Sequence, residues 1–274
     1  MAPAYAQNDG TAIDKVFSRL YNFDFAGAHS LLDAHIQSYP EDPLGYSVKG
    51  ALYFFSELNR LHLLETEFFS NEDKVTDKKR IKPDPETRSL IFSATAEARM
   101  KAAAFLAQKP NDRAALFALS MATGLETEYT ILVEKKYLRS YNLSKENQRY
   151  ARQLLALNPP FYDAYVTIGS AEYVVANLNF IFRLLAHFED IKGSRQKAIE
   201  NLRAAIDHGR YYQPYAKIIL TVVYLREKRI YDALSLMREL ERDFPENPLF
   251  KKEVALLTEK AAEKNGRNKK TSDH

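Results

Sequence analysis

Cysteine and tryptophan are absent from this 274-residue chain, and glycine is scarce, with nine residues. Without cysteine, the chain has no disulfide, no thiolate nucleophile and no thiolate metal ligand. It also has no glycine-rich phosphate loop and no Gly-x-Ser-x-Gly turn, and its six histidines include no pair with the helical spacing of a zinc hydrolase. We therefore expect a non-catalytic protein that carries no metal and no cofactor.

Long apolar runs and a strong charge of one sign are also missing. A membrane-spanning helix needs about 18–20 apolar residues, and the most apolar stretch, 173–188, is shorter and contains Arg183. Lysine plus arginine number 39 and aspartate plus glutamate 36, which gives a net charge of +3. A nucleic-acid-binding protein clusters its basic residues, whereas here only the tail is basic. We expect no transmembrane segment, no nucleic acid, and a disordered basic tail at 264–274.

The first residues carry a clue about the compartment. Ala4-Tyr5-Ala6 before Gln7 has the small-x-small pattern of a signal-peptidase site. The charged and apolar regions that normally precede this pattern are not in the sequence. Residues 1–10 are either a remnant of an export signal or a short disordered start. The first alternative predicts a periplasmic or secreted protein, and the second a cytoplasmic one.

Apolar residues recur mainly at spacings of three and four, which is typical of amphipathic helices. The predicted helices span 12–21, 25–38, 44–58, 60–69, 86–108, 112–133, 136–156, 161–177, 180–190, 194–208, 213–227, 230–243 and 249–263. Asp24, Asp112 and Ser194 are suited to cap helix N-termini, and Gly209 to a left-handed residue after a helix end. The charged segment 71–87 contains two prolines and is predicted to be a flexible loop.

Short sequence features repeat along the chain. The segment 39–44 (YPEDPL) recurs as 244–249 (FPENPL), and each follows one predicted helix and precedes another. A small residue stands twelve positions before a proline in three cases, at Ala28, Ala98 and Ala233. The same count from Pro159 gives Asn147, which departs from the pattern.

These spacings resemble the tetratricopeptide repeat, a pair of antiparallel helices repeated about every 34 residues. In that repeat a small residue lets the two helices approach closely. Further matches are Tyr46, Gly50 and Tyr53, then Tyr165, Gly169 and Tyr173, and then Gly193 with Ala198. The resemblance implies an all-α, right-handed solenoid of about five to six helix pairs over 11–263, with a C-terminal capping helix at 249–263. The proline markers are irregularly spaced, so the number of repeats stays open.

Tetratricopeptide proteins commonly hold a peptide or protein in a concave groove, and this is the function that the resemblance implies. Tyrosine suits such recognition because it joins a broad apolar ring to a hydroxyl group. The candidate partner-binding residues form an aromatic stripe and one face of the following helix: Tyr129, Tyr137, Tyr141, Asp163, Ser170, Tyr173 and Asn177. The alternative is that these tyrosines pack between helices.

Two other functions are alternatives to the protein-binding scaffold. In a small-molecule or lipid carrier, the tyrosines and the apolar run 179–188 would line a closed pocket. In an enzyme, the 71–87 loop would cover a polar cleft, but the sequence shows no nucleophile with a neighbouring base. We therefore expect a scaffold that binds a protein or peptide, with the partner and the oligomeric state open.

Overall fold

The computed structural model describes residues 11–66, 82–157, 160–177 and 193–272. Within these ranges the chain forms eleven helices and no strand, which confirms the all-α prediction. The helices are α1 (Thr11–Tyr21), α2 (Phe25–Ser38), α3 (Pro43–Arg60), α4 (Pro85–Gln108), α5 (Arg113–Leu132), α6 (Tyr137–Leu155), α7 (Ala164–Asn177), α8 (Arg195–His208), α9 (Gln213–Arg226), α10 (Ile230–Asp243) and α11 (Pro248–Ser272).

Each helix packs against the next one along the chain. The described helices group into consecutive pairs, from α1 with α2 to α9 with α10, and α11 follows. The first helices of successive pairs also contact one another, α3 with α5, α5 with α7, and α7 with α9. We call this set of first helices the inner row. Sequential packing of this kind is the arrangement expected of a solenoid.

Small residues allow the two helices of a pair to approach closely. Ala28, Ala98 and Ala233 are all fully buried, as their spacing before proline predicted. Asn147 occupies the corresponding place in α6, is also buried, and accepts a hydrogen bond from the Ser120 hydroxyl of α5 over 2.8 Å. A Cβ atom on Gly124 would stand 3.1 Å from the Asn147 amide nitrogen. A glycine on the facing helix therefore makes room for the larger side chain.

The predicted helix caps form, and one predicted glycine role was wrong. The side chains of Asp24, Asp112 and Ser194 each accept a hydrogen bond from a backbone amide in the first turn of α2, α5 and α8. Gly209 does not adopt the left-handed conformation, because its φ is −69°. It is required for a different reason: a Cβ there would stand 2.4 Å from the carbonyl oxygen of Ala205.

Left-handed residues end the first helix in four of the pairs. Phe23, His62, Lys135 and Lys228 have φ angles of 55–63° and follow α1, α3, α5 and α9. None of them is glycine, so each carries a conformational cost. After α1, α3 and α9 the backbone turn is the same, because the residue that follows the left-handed one donates to a carbonyl five positions back.

Several predicted boundaries change. The described part of the expected 60–69 helix is a turn at 61–65, because α3 ends at Arg60 and His62 is left-handed. The expected loop at 71–87 ends earlier, since Asp84 caps α4 and Pro85 begins it. Its residues 71–81, the expected helix at 180–190 and the apolar run 179–188 lie outside the described residues.

The C-terminal helix is longer than predicted. It continues from Pro248 to Ser272 and includes most of the segment expected to be a disordered tail. The tail has no proline to end the helix, and Lys264 ties its start to the rest of the fold by donating to the Lys228 carbonyl over 3.1 Å. No helix within the described ranges is long and apolar enough to cross a membrane.

The end of α1 contacts the segment that precedes α11. Asn247, which is fully buried before α11, donates to the Tyr21 carbonyl at the end of α1 over 2.7 Å. The Tyr21 hydroxyl donates to the Tyr211 carbonyl over 3.0 Å, and the Tyr21 ring contacts Phe244. Residues near both ends of the fold therefore share one interior.

Candidate functional site

Exposed apolar side chains lie on the hairpin of α6 and α7. Leu138 is 83% exposed, Tyr137 44% and Val174 50%. Because α6 and α7 pack as neighbours joined by a short connection, the start of α6 and the end of α7 lie in the same half of this hairpin. A single exposed leucine is ordinary, but apolar side chains grouped on neighbouring elements are typical of an interaction surface. We call Tyr137, Leu138, Tyr141, Val174 and Asn177 the α6–α7 surface.

The other predicted residues of this hairpin differ in exposure. Tyr173 is 7% exposed, and its hydroxyl donates to Glu227 on the turn after α9 over 3.3 Å. Burial raises the pKa of Tyr173 to about 12. Ser170 is half-buried, and its hydroxyl has no hydrogen-bond partner. The exposed Asn177 amide donates to the Tyr173 carbonyl over 2.8 Å, and the half-buried Tyr141 ring lies under the Lys145 ammonium.

Tyr129 is not part of a surface, which corrects its predicted role. The side chain is fully buried and packs edge-on against Phe92 with centroids 5.6 Å apart. Its hydroxyl has no partner, and burial raises the pKa of Tyr129 to about 12. The tyrosine falls on the core side of α5, so the first residue of the predicted stripe belongs to the packing between helices.

Asp163 is likewise buried, with 2% of its area exposed, and therefore cannot contact a partner in this conformation. Its carboxylate accepts hydrogen bonds from three successive backbone amides, those of Arg210, Tyr211 and Tyr212, over 2.6–3.1 Å. Burial raises the pKa of Asp163, and these amide bonds oppose that rise. Asp163 thus fixes the connection between α8 and α9.

That connection fills the centre of the inner row with aromatic rings. Tyr211 stacks on Phe117 of α5 at 5.5 Å and contacts Phe17 of α1 at 5.1 Å. Tyr212 and Phe161 contact Phe117 from other sides, at 5.3 Å and 4.7 Å. These five residues, which we call the central aromatic cluster, come from α1, α5 and the segments before α7 and α9. The chain itself occupies this part of the inner face.

Beside this cluster lies a carboxylate that is not among the predicted partner-binding residues. Glu128 of α5 is half-buried and accepts a hydrogen bond from the Tyr215 hydroxyl of α9 over 2.7 Å. Removal from water by the surrounding protein raises the pKa of Glu128 to about 7. The pKa of Tyr215 is also raised by burial and by this carboxylate. The pair joins α5 to α9 across the inner row.

A signal for this interior was present in the sequence. The concentration of aromatic side chains at 211–215 (YYQPY) could have indicated a segment that packs inward. The contact between Tyr211 and Phe17, which are roughly two hundred residues apart in the chain, could not be predicted from local spacing.

A polar cleft of about 270 Å³ lies between α8, α9 and α10. Three of its charged groups already have partners: Arg203 donates to the Tyr224 hydroxyl over 2.8 Å, Asp232 pairs with Arg229, and Glu239 pairs with Lys217. These contacts stabilise the packing of the last pairs. Within the described residues, no group of three or more His, Asp or Glu side chains could hold a metal ion.

Comparison of the chain with models of known protein families, with curated protein sequences and with solved structures gave no significant match.

Proposed function

We propose that this protein is a non-catalytic, tetratricopeptide-like scaffold that binds a protein partner through the α6–α7 surface. The observation that carries the proposal is the exposure of Tyr137, Leu138 and Val174 on one half of a single hairpin. Burying three such side chains at an interface contributes several kcal/mol, at about 25 cal/mol per Å² of apolar area.

The repeat assignment is supported by features that recur in phase with the helix pairs. They include buried small residues at a fixed distance before proline, such as Ala28 and Ala233, and left-handed residues such as Phe23 and Lys228 after the first helix. Close approach also recurs: a Cβ on Gly169 of α7 would stand 3.0 Å from the Ala198 carbonyl of α8. A repeated hairpin explains these features together.

The location of the partner follows from what the inner face already contains. The central aromatic cluster occupies its middle, so a peptide could not lie there without displacing Phe17, Phe117 and Tyr211, which are buried in the core. Among the described residues, none obstructs the α6–α7 surface in this way. It combines apolar area with the exposed amide of Asn177, which suits an interface with an apolar centre and a polar edge.

The test compares two exposed apolar residues on different surfaces. Leu138→Asp places a charge on the α6–α7 surface, whereas Met100→Asp places one on α4, where Met100 is 59% exposed. Both variants should keep the wild-type circular dichroism spectrum and melting temperature, because neither side chain is in the core. Affinity purification from the native organism should recover a partner with the wild type and Met100→Asp, and lose it with Leu138→Asp. Equal recovery with all three proteins would refute the assignment of the surface.

A further inference from the structure

Glu128 differs from Glu57 and Glu134, two other shielded glutamates, in that no cation is paired with it among the described residues. Glu57 accepts two hydrogen bonds from Arg60 over 2.7 and 2.8 Å. Glu134 pairs with Arg88 and Lys136 at 2.7 and 3.2 Å. Among the described residues, no Lys, Arg or His pairs with Glu128, and its only polar contact is the Tyr215 hydroxyl.

An ionised carboxylate in such surroundings is costly, because little water and no positive charge compensate it. This cost is the reason why the pKa of Glu128 rises to about 7. Among the described residues, the titratable groups that face the carboxylate are the phenols of Tyr215 and Tyr212, both of which have a raised pKa and stay neutral. Within that part of the chain, no neighbouring charge would compete with a cation placed beside Glu128.

The side chains around the carboxylate are aromatic. The Tyr215 ring stands nearly perpendicular to Phe55 of α3, at 86° with centroids 5.7 Å apart. It also meets Tyr212 at 64° and 5.8 Å. Phe55, Tyr212, Tyr215 and Glu128 are each partly exposed as whole residues, so the cluster they form lies near the protein surface. Aromatic faces carry negative potential and attract organic cations.

We propose that Glu128, Tyr215, Tyr212 and Phe55 form a binding site for an alkylammonium group. The carboxylate supplies the opposite charge, and the rings contact the alkyl part and the ammonium face. A free alkylamine and the side chain of a lysine both present this chemistry. The site is separate from the α6–α7 surface, so the inference does not depend on the proposed partner.

The probe is n-butylammonium chloride at pH 8.5, where Glu128 is ionised, with sodium chloride at equal ionic strength as the reference. Titration calorimetry should show binding to the wild type and to Glu259→Gln, which removes an exposed carboxylate of α11. Glu128→Gln, which keeps an acceptor for the Tyr215 hydroxyl, should bind at least tenfold more weakly. A capped tripeptide with lysine at its centre should bind as well as butylammonium if a protein supplies the group, and more weakly if the natural ligand is a small amine.

A second measurement needs no variant. At pH 5.5 Glu128 is protonated, so butylammonium should bind the wild type at least tenfold more weakly than at pH 8.5. Binding that is equal at the two pH values, or equal in Glu128→Gln and the wild type, would overturn the proposal. Absence of binding to the wild type at pH 8.5 would overturn it as well.

Discussion

Replacing Asp163 with alanine should destabilise the fold far more than removal of an ordinary helix cap. The carboxylate receives the amides of Arg210, Tyr211 and Tyr212 at 2.6–3.1 Å and is 2% exposed. Without it, these amides lose their acceptor. Each buried, unsatisfied donor costs about 1–3 kcal/mol. Because the Arg210 end of the segment is open to water, the two remaining amides lead us to expect a total loss of about 2–6 kcal/mol.

Asp112→Ala is the matched control. Asp112 caps α5 through a single hydrogen bond from the Ala115 amide over 3.0 Å, so its loss should cost about 1 kcal/mol. Urea unfolding followed by circular dichroism gives both free energies. Hydrogen exchange should also accelerate at the amides of 210–212 in a less disruptive variant, Asp163→Asn. If Asp163→Ala costs no more than Asp112→Ala, the assigned role of Asp163 in fixing the 210–212 connection is wrong.

Three further predictions concern single groups. Folding raises the pKa of Glu128 from its ordinary value to about 7, so this carboxyl ionises at a lower pH in the unfolded chain than in the folded one. The free energy of unfolding should therefore fall by roughly 2 kcal/mol between about pH 4.5 and 7. Urea titrations at several pH values should show this fall for the wild type and not for Glu128→Gln. Asn247→Asp keeps the cap of α11 but loses the donor to the Tyr21 carbonyl, so its melting curve should show a loss of about 2–4 kcal/mol. Lys228→Gly should stabilise the protein by about 1 kcal/mol, because residue 228 is left-handed; Lys251→Gly, within α11, should destabilise it by a similar amount.

Local features of the fold could be predicted because they depend on neighbours in sequence. The cap at Asp24 needs only the amide three residues on, and the burial of Ala28 and Ala98 follows from helical spacing before proline. The conformation of Gly209 was predicted wrongly. A glycine after a helix suits either a left-handed turn or close backbone contact, and the sequence does not distinguish these two roles.

The candidate site was predicted only in part. Tyr137 and Asn177 are exposed, as a partner-binding role requires, whereas Tyr129 and Asp163 are buried. Helical spacing places residues on a common face, but it does not say whether that face meets solvent or another helix. For Tyr129 the answer depends on the packing of Phe92, which belongs to a different helix.

The repeated segments 39–44 and 244–249 show how one substitution reflects tertiary structure. Asp42 and Asn247 both cap the helix that follows, by accepting from the amides of Leu44 and Leu249. The other atom of each side chain has a different neighbour. Asp42 binds the buried His35 ring, whose nitrogen can donate, whereas Asn247 must itself donate to a carbonyl. The contact with the Tyr21 carbonyl thus explains why the segment 244–249 has asparagine where the segment 39–44 has aspartate.

The most direct test of the proposed function is hydrogen exchange of the protein with and without its purified partner. Protection on binding should appear at 137–145 and 171–177, which carry the α6–α7 surface, and should be absent at 96–104 of α4. Protection confined to the inner row, or spread over α4, would contradict the proposal.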